Sequence, residues 1–110
     1  MSPIFYVYIL SSLSGTLYVG MTDDLPLRMA QHRRGTYDGF TKKYQVDRLM
    51  YYEGYGDPHA ARKREKQIKA YSRMKKIAPF APTNPEWKDL SRDLYAVRIG
   101  RVLKAAASQG

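Results

Sequence analysis

Five side chains are of types and at spacings that could do chemistry together: Tyr8, Tyr18, Arg28, His32 and Glu65. Tyr8 lies in the apolar run Phe5-Tyr6-Val7-Tyr8-Ile9-Leu10, and Tyr18 is the second residue of the run Leu17-Tyr18-Val19-Gly20. A phenol can give or take a proton, and two phenols in reach of one another make half of a reactive site. Arg28 and His32 sit one turn apart on the same stripe as Leu25 and Met29, following i, i+3, i+4, i+7 spacing. A guanidinium beside core positions requires an anion or another acceptor. Glu65 shares the packing face of Ala61 and Ile68. A carboxylate there costs several kcal/mol to desolvate unless a cation or metal meets it. Arg62 and Lys69 are at suitable spacing to do so along a helix. Taken singly, each residue has an ordinary structural explanation: the tyrosines as strand packing, Arg28 as a snorkelling chain, His32 as a helix-end histidine.

The elements that must position these groups are legible. Aromatic and β-branched residues make Phe5–Leu10 and Leu17–Gly20 strands, and the Ser/Gly-rich link between them suits a hairpin. Alternation places Tyr6, Tyr8 and Leu10 on one face and Phe5, Val7 and Ile9 on the other. Antiparallel pairing brings Tyr8 and Tyr18 close. A helix follows, capped by Thr22, Asp23 or Asp24, with Pro26 in its first turn and Gly35 closing it. Thr36–Asp47 reads as a polar, basic loop in which Tyr37, Phe40 and Tyr44 alternate with cations, a pattern that suits stacking on bases. Arg48–Tyr55 is a third strand, less cleanly alternating. Asp57-Pro58 then starts a second helix reaching to about Arg73. Three prolines between Ile77 and Trp87 end it, with Trp87 as an anchor and Asn84 as a turn residue. A closing helix is expected from Lys88 onward, frayed over its last residues.

The 110 residues suit one domain with a modest core. Nineteen Lys and Arg against ten Asp and Glu leave a net charge of +9, which favours a polyanionic partner, above all nucleic acid. Between Arg62 and Lys76, eight cations surround the single acid Glu65. The absence of cysteine excludes disulfides and thiolate metal sites. No leader-like start and no apolar run near the ~20 residues of a bilayer span are present. The chain therefore reads as soluble and cytoplasmic, with no membrane partner.

The ordered set Tyr8, Tyr18-Val19-Gly20, Arg28, His32, Glu65 and Asn84 resembles the GIY-YIG nuclease superfamily, in particular its small single-domain bacterial members. The resemblance runs from about Tyr6 to about Leu90, giving a nuclease-like domain over 1–90 and a partly helical extension over 91–110. It implies an α+β fold with a small, three-stranded, mostly antiparallel sheet flanked by helices. It also implies a metal-dependent endonuclease acting on branched or damaged DNA, with RNA as a further substrate, in repair or recombination. By the same resemblance Glu65 would hold one Mg²⁺ or Mn²⁺ ion, and Arg28 would grip the scissile phosphate. Tyr8 would be the general base, oriented by Tyr18, with His32 as relay and Asn84 as brace. Lys42, Lys43, Arg62, Lys63, Lys66, Lys69 and Arg73 would hold flanking phosphates. The pattern is departed from at two places: the first triplet is Tyr6-Val7-Tyr8, with its glycine and isoleucine replaced, and Met21 stands where relatives of the excinuclease type often carry lysine. A non-catalytic nucleic-acid-binding module and an accessory domain of a repair complex are the competing classes, both consistent with the charge.

Overall fold

The structure is a computed structural model that describes residues 3–92 and 94. Three strands, β1 (Phe5–Ser11), β2 (Leu17–Thr22) and β3 (Arg48–Tyr55), form a sheet in the order β2-β1-β3, with both pairings antiparallel. β1 takes the centre because Val7, Tyr8, Ile9 and Leu10 are hydrophobic on both faces, and all four are buried.

The sheet divides two apolar clusters. Val7, Ile9 and Val19 pack with Met50, Ala61, Ile68 and Phe80 on one side. Tyr8 and Leu10 pack with Leu25, Met29, Val46 and Leu49 on the other. A register shift between Ile9 and Leu10 in the β1–β3 pairing explains the irregular alternation of the third strand. It lets the consecutive Met50 and Tyr51 serve one face while Leu49 serves the other.

Four helices flank the sheet: α1 (Leu25–Arg34), α2 (Gly39–Tyr44), α3 (Pro58–Lys69) and α4 (Arg73–Ile77). Of the three candidate caps for α1, Asp24 is the one used, accepting the Leu27 N–H at 3.1 Å. Gly35 ends α1 in the left-handed region, with φ of 69°. Asp57 caps α3 through the His59 N–H, as expected.

Two expectations are corrected. The segment Thr36–Asp47 is not all loop, since Asp38 accepts the N–H groups of Phe40 and Thr41 and starts α2. Gly39 at its first position hides the helix from propensity, while the cap supplies the missing hydrogen bonds. The second helix also stops at Lys69 rather than near Arg73. Ser72 then caps a separate turn, α4, by accepting the Lys75 N–H.

α3 lies on the Val7/Ile9/Val19 face and is clamped to β3, where Arg64 donates to Glu53 at 2.6 Å. Trp87 does anchor the proline-rich segment: its ring meets Phe80 edge-on at 5.1 Å. Ser91, Arg92 and Leu94 are helical. The rest of the extension 91–110 lies outside the described residues.

Candidate active site

The site is built where β1 and β2 face α1. Tyr8 pairs with Gly20 across the ladder, and Tyr18 sits diagonally from Tyr8, opposite Leu10. Gly20 is required by space: a Cβ there would lie 2.4 Å from the Tyr8 hydroxyl oxygen. The Tyr8 ring thus lies over bare backbone and, fully buried, reaches toward α1. Its centroid is 6.4 Å from that of Tyr18.

Helix α1 presents His32 and Arg28 to these rings. The Tyr8 hydroxyl is 3.0 Å from His32 Nε2, and His32 Nδ1 is 3.0 Å from Thr41 Oγ1 on α2. Edge-on contacts with Tyr18 (5.4 Å) and Tyr37 (5.0 Å) hold the imidazole plane. The Tyr18 hydroxyl donates to Asp38 Oδ2 at 3.4 Å. Arg28 lies with its guanidinium carbon 3.6 Å from the Tyr37 ring centroid. Its Nε donates to Gln31 at 3.2 Å and one terminal nitrogen to the Met21 carbonyl at 3.4 Å, and the guanidinium also bears on the Tyr8 phenol.

Electrostatics follow from burial. Loss of solvent pushes the Tyr8 phenol above its ordinary range, and the neighbouring Tyr18 adds to the effect, while Arg28 opposes it. Tyr18 is raised in the same way, first by burial and then by Asp38. His32 is lowered to about 4, by burial first and by the Arg28 charge second. Near neutrality the cluster therefore consists of two protonated phenols, a neutral imidazole and one cation.

That shift has a measurable consequence. In the unfolded chain His32 binds its proton near pH 6.5, whereas in the fold it does so only near 4. The unfolded state holds more protons between these values, so stability falls as pH drops through that window. Urea unfolding is expected to show a loss of about 2 kcal/mol between pH 7.5 and pH 5. This range lies above the ordinary carboxylate values near 4, where Glu53 and Asp89, both depressed, would begin to contribute. The dependence should flatten in a His32→Gln variant and persist in His59→Gln; no dependence in the parent protein would contradict the buried, neutral His32.

Four of the six expected site residues, Tyr8, Tyr18, Arg28 and His32, come together. Glu65 and Asn84 make no hydrogen bond to any of them. Glu65 sits on α3 with its side chain 17% exposed, and its carboxylate is 3.7 Å from Lys69 Nζ, the helical ion pair allowed by the spacing. Asn84 is buried and saturated: it donates to the Met50 and Lys88 carbonyls and accepts the Lys88 N–H, tying the 84–88 turn to β3. It braces backbone and makes no hydrogen bond to a tyrosine.

Lys42, Lys43, Arg62, Lys63, Lys66, Lys69 and Arg73 are all exposed. Arg73 is engaged, donating to the Gly15 carbonyl at 2.6 Å and so fixing the β1–β2 turn to α4. Asp38 and Thr41 escaped sequence reasoning. The signal for them was the Asp-x-x-Thr spacing of a helix start, obscured by the glycine between them.

An antiparallel three-stranded sheet with two phenols, an arginine and a histidine gathered at one face defines the GIY-YIG class of nuclease domains. Residues 4–78 match the GIY-YIG catalytic domain, and the chain belongs to that family. Similar proteins include the UPF0213 proteins of Staphylococcus aureus strains Mu3 and N315, each 39% identical over 72 residues, covering 66% of this chain and 88% of their own. The solution NMR structure of the UPF0213 protein BH0048 from Bacillus halodurans is similar with a TM-score of 0.50 and 27% identity, over 78% of this chain and 92% of that one. The family is one of nucleases, so a nucleic acid is the expected class of substrate. Among the described residues no helix is long and apolar enough to cross a membrane.

Proposed function

We propose that the protein is a metal-dependent endonuclease that hydrolyses phosphodiester bonds in DNA, selecting structure rather than sequence, in repair or recombination. The observation that carries this reading is the Tyr8–His32 hydrogen bond beside Arg28. A buried, protonated phenol is a poor standing base. Tyr8 therefore takes a proton from the attacking water only as it passes its own to His32 Nε2. The imidazolium so formed is disfavoured by Arg28, and an anionic phosphate on Arg28 offsets that penalty. Substrate binding and proton transfer are thereby linked. The guanidinium of Arg28 supplies donors to the phosphoryl oxygens where charge develops.

Nucleases of this family generally use a divalent metal. Among the described residues no group of three or more His, Asp or Glu side chains is arranged to hold one. The donor set here fits a Mg²⁺ that keeps most of its waters: a single hard carboxylate, Glu65, shielded from solvent and only loosely paired at 3.7 Å. When bound, such an ion supplies neutralisation of phosphoryl charge and stabilisation of the leaving oxygen.

The exposed cations of α2 and α3 would hold flanking phosphates without reading sequence. Tyr37, Phe40 and Tyr44, each more than 40% exposed beside the site, offer stacking faces to unpaired bases, which supports selection by structure. A non-catalytic nucleic-acid binder is the second reading, favoured by the Glu65–Lys69 pairing apart from the tyrosine cluster.

Cleavage of branched, nicked and single-stranded DNA with Mg²⁺ or Mn²⁺ decides between them. Cutting is expected to stop in EDTA and to fall about 100-fold in Glu65→Gln, with DNA affinity held within about twofold. Undiminished cutting by Glu65→Gln would remove Glu65 from the reaction. Tight, salt-sensitive binding with no cutting under any metal would establish the binder instead.

A further inference from the structure

We propose that Thr41 is a positioning residue that fixes His32 in the tautomer whose Nε2 lone pair faces Tyr8. The catalytic meaning of this assignment rests on the nuclease reading above; the tautomer itself does not.

Thr41 Oγ1 lies 3.1 Å from the Asp38 carbonyl oxygen, which can only accept and also takes the Lys42 N–H, and we assign the single hydroxyl proton of Thr41 to that bond. The same oxygen lies 3.0 Å from His32 Nδ1. With its proton already given away, Oγ1 can only accept from that nitrogen, so Nδ1 carries the hydrogen. A neutral imidazole has one N–H, which leaves Nε2 bare. Nε2 then accepts the Tyr8 O–H at 3.0 Å. Thr41 and His32 are 1% and 2% exposed, so bulk water cannot replace either partner. In the opposite tautomer Nε2–H would donate to the phenol oxygen. His32 could not then take a proton from Tyr8.

The same short helix holds the second phenol. Asp38 caps α2 through the Phe40 and Thr41 N–H groups with Oδ1 and accepts the Tyr18 hydroxyl with Oδ2. One turn of α2 thus orients Tyr18 directly, and Tyr8 by way of His32.

The test is a long-range ¹H–¹⁵N correlation spectrum of the ¹⁵N-labelled full chain at pH 7, with His59→Gln used to assign the two histidines. The parent protein is expected to show a protonated Nδ1 and an unprotonated Nε2 on His32. Thr41→Val, which keeps the shape and removes the acceptor, is expected to give the other tautomer or a mixture, and Thr41→Ser to restore the parent pattern. In cleavage assays Thr41→Val should lower kcat roughly 10- to 100-fold with KM little changed, and Thr41→Ser should recover it. A protonated Nε2 in the parent protein, or an unaltered tautomer in a folded Thr41→Val, overturns the proposal. Should Thr41→Val not fold, the parent spectrum and the Thr41→Ser spectrum decide it. A parent protein with the expected tautomer and no cleavage would leave the assignment standing and remove the nuclease reading alone.

Discussion

A Gly20→Ala variant is expected to lose about 2 kcal/mol of stability and about 100-fold or more in cleavage rate. The added methyl would lie 2.4 Å from the Tyr8 hydroxyl oxygen, 2.5 Å from Cζ and 3.0 Å from Cε1. The first two separations are not tolerable, and the ring has nowhere to go. It is fully buried, bonded to His32 and in edge contact with it at 5.8 Å. Moving the ring breaks the proton path, and keeping it in place strains the strand. Gly54 offers a milder comparison on the same sheet, because a methyl there would meet Cγ2 of the half-exposed Ile4 at 3.0 Å and the Tyr6 ring only at ordinary contact, 3.5 Å. Urea unfolding and the His32 and tyrosine resonances of the two variants should differ clearly. A Gly20→Ala protein with parental stability and rate would show that Tyr8 does not lie over Gly20.

Arg28→Ala is expected to cut the rate of the chemical step by about 10²- to 10³-fold while changing stability little. Its side chain is only partly buried, and its two hydrogen bonds, at 3.2 and 3.4 Å, are long. What it contributes is charge placed at Tyr8, Tyr18 and His32 together. Arg28→Lys should rescue poorly, because an ammonium cannot present a planar fork or lie flat on Tyr37 at 3.6 Å. A second readout is independent of substrate. Arg28 helps to depress His32, so its removal should move the His32 titration upward from about 4. Single-turnover kinetics and an NMR titration check the two effects separately. A parental rate in Arg28→Ala would take the phosphate-binding role from this residue.

Local chemistry wrote much of this molecule into its sequence. The alternation of Tyr6, Tyr8 and Leu10 against Val7 and Ile9 set which residues share a face, and the two clusters honour it. Asp57-Pro58 and Gly35 marked helix ends by backbone rules that need no partner. The spacing of Arg28 and His32 on one helical stripe brought both to the tyrosines, because a helix of known phase has only one buried side. Long-range geometry was a different matter. Nothing in the run Thr36–Asp47 states that Asp38 and Thr41 meet Tyr18 and His32, since those contacts span 20 and 9 residues and depend on where α2 docks. For Glu65 the spacing allowed a metal, Arg62 or Lys69, and docking of α3 on the Val7/Ile9/Val19 face left it beside Lys69.

By itself the sequence determined the strands, the starts of α1 and α3 and the identity of the reactive groups, because periodicity, capping and side-chain chemistry act over a few residues. Only the tertiary structure decided that Gly20 makes room for the Tyr8 ring, that burial keeps His32 neutral, and that Thr41 Oγ1 lies 3.0 Å from His32 Nδ1. Those outcomes depend on distance and on exclusion of water, and both exist only once the sheet and its helices have closed on one another.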